Sequence, residues 1–277
     1  MSEISRIALI GDPVSASVSP AMQNAAFCEL GLAFEYEALR VPRGELAALF
    51  GSLRERFVGL NVTIPHKEEA AYLVDSLEPA SRGSGSVNTV IFRHDRAIGD
   101  STDGRGFLRA LRRGAPGREL RSALIVGTGG AARAVAAALA GEGLTVRVSG
   151  RNTEAGLRLA HDVAGVKAVP ADELDAALDD TDLLVSAVPA SAWEDGSSTL
   201  PLGVPLGPGL VVFDLAYRPR RTPLLERAIA EGATAIEGIE MLVEQGALSF
   251  LLWTGVEPPR AVMREAAYDA LEKAVPA

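Results

Sequence analysis

The stretch that most limits what this chain can fold into runs from Leu124 to Val135 and reads Leu-Ile-Val-Gly-Thr-Gly-Gly-Ala-Ala-Arg-Ala-Val. An apolar run, a cluster of glycines and an Ala-rich segment follow one another in the order strand, tight turn, helix. Gly127 permits the sharp turn and Gly129 lets backbone approach a pyrophosphate without a Cβ in the way. Ala132 supplies the small residue that close helix-on-strand packing needs. The free N–H groups at the start of the helix then point at the phosphates. A second apolar run, Leu144 to Val148, ends in Ser149, Gly150 and Arg151. In a dinucleotide-binding unit this is where the adenosine ribose is met. An acid there accepts from the ribose 2′-hydroxyl, whereas a fixed cation suits a 2′-phosphate, so the segment predicts NADP rather than NAD.

A chain of 277 residues is long for one core and sufficient for two domains. Its net charge of −9 argues against a nucleic-acid partner, since neutralising phosphates takes a basic face. No apolar run approaches the roughly 18 residues of a membrane span. The segment carrying Glu3 and Arg6 reads as a first strand rather than a signal peptide, and a cytoplasmic location is expected. The single cysteine, Cys28, falls in an amphipathic pattern and is expected to be a small buried hydrophobe.

Before the glycine turn, strands are predicted at Ile7–Ile10, Phe34–Val41 and Val58–Ile64, and helices from an N-cap at Ser19 to Gly31, over Glu45–Arg56 and over Lys67–Val74. A Ser/Gly-rich loop, Ser81 to Ser86, then precedes a hairpin of Val87–Phe92 and Ala97–Ile98 around His94 and Asp95. A helix over Gly106–Arg113 leads into the glycine motif. Beyond it, apolar runs at Leu144–Val148, Val166–Val169, Leu183–Val188, Leu210–Phe213 and Thr234–Ile236 alternate with helical patterns, which predicts an α/β fold with a doubly wound parallel sheet. The Pro-, Gly- and Ser-rich stretch Ala190 to Gly209 reads as a loop over a cofactor cleft. Two final helices, Ile239–Trp253 and Pro259–Ala274, have no partner strand and are expected to return to the first domain. The expected division is 1–102 with 239–277 against 103–238.

Three polar clusters fall at element ends in the first domain. Asn61 and Thr63 share one face of a strand that leads to Lys67; Asn88 lies on another strand; Asp103 stands before a helix that it can also cap. His66 is read as a neighbour of Lys67 rather than a catalyst, and His94 and His161 as a hairpin-tip and a helix residue. Without a Cys/His cluster at ligand spacing no metal is expected. Met241, Phe250 and Trp253 fall at helical spacing and read as core.

These clusters resemble the motifs of the shikimate dehydrogenase family over nearly the whole chain. The matching segments are Gly11–Pro20, Asn61–Lys67, Val87–Thr89, Thr102–Gly104, Gly127–Arg133, Asp214–Pro219 and Gly238–Gln245. The resemblance implies reversible reduction of 3-dehydroshikimate to shikimate with NADPH. Lys67 and Asp103 take the catalytic positions; Ser17, Ser19, Asn61, Thr63, Asn88, Asp103, Tyr217 and Gln245 take the substrate positions. Cofactor positions fall on Gly127, Thr128, Gly129, Gly130, Ala131, Gly150, Arg151, Asn152, Leu215 and Gly238. Departures from the family pattern at Ala16, Gln23, Ser101 and Ser186, and at Gly150 and Asn152 beside Arg151, leave Lys67 and Asp103 intact. Two alternatives stand beside this reading: a quinate/shikimate dehydrogenase using NAD, and a non-catalytic ligand sensor. Monomer and homodimer both remain open.

Overall fold

A computed structural model of the protein describes residues 4–189 and 204–273. The chain divides into two compact units, residues 1–106 with 242–277 and residues 107–241. Of the loop expected over Ala190 to Gly209, residues 190–203 lie outside the described residues.

In the first unit, strands β1 (Ser5–Gly11), β2 (Phe34–Arg40), β3 (Gly59–Val62), β4 (Ser76–Leu77), β5 (Thr89–Arg93) and β6 (Arg96–Asp100) form one sheet in the order β2-β1-β3-β5-β6-β4. Strand β5 runs antiparallel to both neighbours, while β1 is parallel to β2 and β3. The expected hairpin is present, and His94 and Asp95 at its tip have φ of 48° and 57°, the left-handed values a tight two-residue turn requires. Ala8, Ile10, Leu60, Val62 and Val90 bury one sheet face against helix α2 (Leu46–Arg56). Alternation along β3 therefore turns Asn61 to the opposite face. On that side helix α1 (Ser19–Glu29) packs, and Phe27 stacks between Phe34 and Phe250 with ring centroids 5.2 and 5.0 Å apart.

Several local expectations give way. Ser19 is the first residue of α1 rather than its cap, and the backbone N–H of Ser19 instead donates to Ser17 Oγ at 3.2 Å. The Ser/Gly-rich stretch is largely a short helix, α4 (Pro79–Ser84), which follows α3 (Lys67–Leu73) and closes at Gly85 with φ of 63°. Composition pointed to a loop, but Pro79 starts the helix and Ser84 Oγ donates within it to the Ala80 carbonyl oxygen at 2.9 Å. Helix α5 (Asp103–Gly114) begins three residues earlier than expected, so Asp103 lies in its first turn. Cys28 is exposed, because it falls at the solvent-facing end of α1.

In the second unit, β7 (Ser122–Val126), β8 (Thr145–Ser149), β9 (Val166–Ala168), β10 (Leu183–Ser186), β11 (Val211–Asp214) and β12 (Thr234–Ile236) form an all-parallel sheet in the order β12-β11-β10-β7-β8-β9. Ala123, Ile125, Val185 and Phe213 pack into one layer while Leu124, Val126, Leu184 and Val212 pack into the other. Both faces are covered, which is why these strands read as unbroken apolar runs. Helices α6 (Gly130–Gly141) and α7 (Thr153–Asp162) follow β7 and β8. Helix α8 (Leu174–Asp179) precedes β10, and α9 (Pro223–Ala230) precedes β12. Helices α10 (Gly238–Thr254) and α11 (Arg260–Lys273) close the described chain. Met241, Phe250 and Trp253 are buried as expected. No helix among the described residues is long and apolar enough to cross a membrane.

Candidate active site

The first unit gathers Asn61, Lys67, Asn88, Asp103 and Gln245 into one hydrogen-bonded cluster. Lys67 leads α3 from the end of the Asn61 strand, and its Nζ lies 2.5 Å from Asp103 Oδ2. The lysine side chain keeps 16% exposure against 5% for the aspartate, so the lysine is the more accessible partner. Asn88 Nδ2 faces Asp103 Oδ1 at 2.8 Å, Thr102 Oγ1 at 2.8 Å and Gln245 Oε1 at 3.1 Å. Its own Oδ1 accepts from the Thr102 N–H at 2.8 Å and from Thr89 Oγ1 at 2.9 Å. That pair of donors fixes the orientation of the Asn88 amide. An amide nitrogen has two hydrogens for these three acceptors, and the Thr102 hydroxyl, 3.5 Å from the Gln245 oxygen, is a further donor to it.

Ser17, Ser19 and Thr63 make no side-chain hydrogen bond to this cluster. Thr63 lies just past the end of β3, with its methyl group against Gly11, where a Cβ would clash with Thr63 Cγ2. His66 is wholly buried, its Nε2 2.7 Å from the Val41 carbonyl oxygen and its Nδ1 3.1 Å from Glu69 Oε2, so it ties α3 to the end of β2. Residues that sequence reasoning passed over complete the cluster. Thr89 and Thr102 lie in the segments Val87–Thr89 and Thr102–Gly104, beside Asn88 and Asp103. Ser249 is one helical turn beyond Gln245 and sits 2.8 Å from Thr89 Oγ1 and 3.2 Å from Thr102 Oγ1. Tyr36 offered no signal at all, being one aromatic in a strand.

The second unit carries its predicted residues at the carboxyl ends of the parallel strands. Gly127 has φ of 129°, and a Cβ there would lie 2.6 Å from the Ala187 carbonyl oxygen, so only glycine fits the turn. Gly129 precedes α6 with no side-chain cap, no acid occupies the first turn, and a Cβ on Gly129 would meet nothing within 4 Å. The first N–H groups of α6, with Gly130 and Ala131 at its start, thus follow a turn that has room beside it among the described residues, as a pyrophosphate requires. Thr128 packs on Gly150, where a Cβ would be 3.0 Å from Thr128 Cγ2. Arg151 is exposed and has no ion pair among the described residues, and Asn152 Oδ1 caps α7 by accepting from the Ala155 N–H at 3.0 Å. These residues fit a phosphorylated dinucleotide.

Strand order reverses between β10 and β7, the crevice where ligands of such sheets bind. Beside it, Gly238 lets the chain pass 2.5 Å (Cβ position) from the Leu215 carbonyl oxygen. Asp214 anchors the loop bearing Leu215 and Tyr217: Thr222 Oγ1 donates to its Oδ2 at 2.6 Å and the Ala216 N–H to its Oδ1 at 3.1 Å. Burial pushes the Asp214 carboxyl above the ordinary aspartate range against those hydrogen bonds. No group of His, Cys, Asp and Glu among the described residues is arranged to hold a metal ion.

An all-parallel sheet with an open glycine turn at its switch point, in a chain that also carries a lysine–carboxylate pair set among amides, defines a nicotinamide-dependent dehydrogenase of the two-unit α/β type. Residues 9–90 match the shikimate dehydrogenase substrate binding domain, 113–220 the shikimate / quinate 5-dehydrogenase family and 238–268 the shikimate 5′-dehydrogenase C-terminal domain. The chain belongs to the shikimate dehydrogenase family. It is 45% identical over 281 aligned residues, 97% of each chain, to shikimate dehydrogenase (NADP+) of Methanopyrus kandleri. The Thermus thermophilus shikimate 5-dehydrogenase solved with NADP(H) and shikimate superimposes with a TM-score of 0.86 at 41% identity, covering 97% of this chain and all of the other. A quinate dehydrogenase of Corynebacterium glutamicum solved with NAD reaches 0.88 at 29% identity over the same 97% and 100%.

Proposed function

We propose that this chain catalyses the reversible reduction of 3-dehydroshikimate to shikimate with NADPH. The observation that carries the reading is the Lys67–Asp103 pair at 2.5 Å, held by Asn88 in a cluster of amide and hydroxyl groups. Relatives named NADP-dependent shikimate dehydrogenases, similar over nearly the full chain, support it. NADP, when bound, supplies the hydride acceptor or donor. In reduction, Lys67 Nζ gives a proton to the carbonyl oxygen of the substrate; in oxidation it takes the hydroxyl proton back. Asp103 aims the amine through Oδ2 while Oδ1 is tied to Asn88, so the pair is oriented before substrate arrives.

Asn61, Thr63, Asn88, Asp103 and Gln245 bind substrate hydroxyls, Ser17 and Ser19 the carboxylate, and Tyr217 contributes from the β11–α9 loop. Gly127 to Ala131 cradle the pyrophosphate, Arg151 with Gly150 and Asn152 holds the 2′-phosphate, and Leu215 and Gly238 line the nicotinamide end. The unit of residues 1–106 with 242–277 serves as the substrate domain and that of 107–241 as the cofactor domain, a few residues from the boundaries at 102 and 239 expected from sequence. The reading includes a cytoplasmic enzyme, monomeric or homodimeric, with no nucleic-acid partner, in keeping with the net charge of −9.

Oxidation of quinate with NAD is the second reading, favoured by the close superposition on a quinate dehydrogenase. The exposed Arg151 favours the first. Following reduced-nicotinamide absorbance with shikimate and quinate, each against NADP+ and NAD+, separates them. The highest kcat/KM for shikimate with NADP+ is expected; a preference for quinate or NAD+ overturns the assignment, and no turnover in any arm favours a ligand sensor.

A further inference from the structure

Tyr36 is a fully buried phenol, 2% exposed, on the edge strand β2. A phenylalanine would cover the same apolar area without taking a hydroxyl out of water, so the oxygen costs stability unless it is bonded. It is bonded to one atom of the site: the Tyr36 hydroxyl donates to Asn61 Oδ1 at 2.7 Å. The backbone of Tyr36 is itself clamped, its N–H donating to Asn24 Oδ1 and its carbonyl accepting from Asn24 Nδ2, both at 2.8 Å. Its ring packs on Trp253, whose indole N–H donates to the Val90 carbonyl at 3.1 Å.

With Oδ1 engaged by the phenol, the Asn61 amide presents both hydrogens to the other side. There its Nδ2 lies 2.9 Å from the Asn88 carbonyl oxygen, 3.2 Å from Ser249 Oγ and 3.3 Å from Thr89 Oγ1. Thr89 Oγ1, which also shares a hydrogen bond with Ser249 Oγ at 2.8 Å, lies 2.9 Å from Asn88 Oδ1, and the amide nitrogen of Asn88 faces Thr102, Asp103 and Gln245. A continuous set of hydrogen bonds thus runs from a core phenol to the carboxylate that holds Lys67.

The geometry points to Tyr36 as a positioning residue: its hydroxyl sets the orientation of the Asn61 amide and, through Thr89 and Asn88, the donors offered to substrate hydroxyls and to Asp103. This rests on the shikimate reading above, and wild-type enzyme in the same assays keeps the two apart. Inactive wild-type protein removes that reading. Active wild-type protein with an indifferent variant removes only this inference.

The test is Tyr36→Phe. About 10- to 100-fold loss in kcat/KM for shikimate is expected, with a matching weakening of shikimate binding measured by calorimetry without cofactor and unchanged NADP+ affinity. Combined with Thr89→Val, the loss is expected to fall well short of the product of the two single losses. A role confined to packing would lower the melting temperature and leave these constants within twofold, which overturns the proposal, as does a multiplicative double variant. A second reading needs no substitution at Tyr36. The chain has four tyrosines, so the Tyr36 Cζ resonance of 13C-labelled protein is assigned by replacing the other three. Shikimate is expected to shift it, and an unmoved resonance under saturation overturns the proposal even if Tyr36→Phe fails to fold.

Discussion

The two site-bearing regions are built by opposite means. In the first unit the chemistry is made of side chains that saturate one another, from Tyr36 through Asn61, Thr89 and Asn88 to Asp103 and Lys67. In the second it is made of backbone and of missing side chains: Gly127 where a Cβ would strike Ala187, and Gly129 where nothing stands within 4 Å. The lesson is that the first region is sensitive to atoms removed and the second to atoms added. A buried network loses by any deletion that orphans a partner, and a glycine cradle loses by any methyl that fills it.

That contrast is most sharply broken or upheld at Lys67. Lys67→Ala is expected to lower kcat by about 10²- to 10⁴-fold while NADP+ affinity stays within twofold. Undiminished turnover in steady-state assays removes the lysine from its proton-transfer role. Gly127→Ala is the reciprocal change: it forces a Cβ against backbone at a positive φ, so NADP+ affinity is expected to fall about 10- to 100-fold, with a stability loss of about 1–3 kcal/mol. Shikimate binding by calorimetry should be untouched, and an equal loss for both ligands would dissolve the distinction between the regions. Arg151→Ala sharpens the second region further. KM for NADPH is expected to rise about tenfold and KM for NADH hardly at all. Equal changes would mean that the guanidinium does not meet a 2′-phosphate.

The smallest effect concerns two aspartates of the second unit with opposite shifts. Burial raises Asp214, so its contribution to stability is complete below the ordinary aspartate value of 3.8 and is lost as pH rises through the raised folded value. Asp182 accepts from the backbone N–H groups of Arg121 and Ser122 and is lowered, so its contribution is present above 3.8 and is lost as pH falls through the lowered value. Denaturant unfolding across acidic pH should show Asp214→Asn flattening the first slope and Asp182→Asn the second. Unaltered slopes would contradict these environments.

Much of the second unit was legible because its rules are local. The alternation of buried strands and helices is written in consecutive residues, and a glycine turn needs no distant partner to declare itself. The strand Thr234–Ile236 was read to the residue. The misreadings came where tertiary contact outweighs local preference. A Ser/Gly-rich stretch became helix α4, with Ser81 and Ser84 turned into the interior. Cys28, expected in the core, lies on the exposed side of α1. Val18 rather than Ser19 precedes that helix. At the site, Asn61, Lys67, Asn88 and Asp103 stood out because each occupies an element end or a polar position in an apolar strand. Tyr36 and Ser249 did not, since an aromatic in a strand and a serine in a helix are ordinary.

By itself the sequence determined the backbone of this protein: where strands alternate, where glycine must turn and which face of β3 carries Asn61. Only the tertiary structure decided the partners. Lys67 meets Asp103 across 36 positions, and Asn61 meets Ser249 across 188. Periodicity tells a residue which way to face, whereas the order of strands in the sheet and the return of α10 to the first unit decide what it finds there.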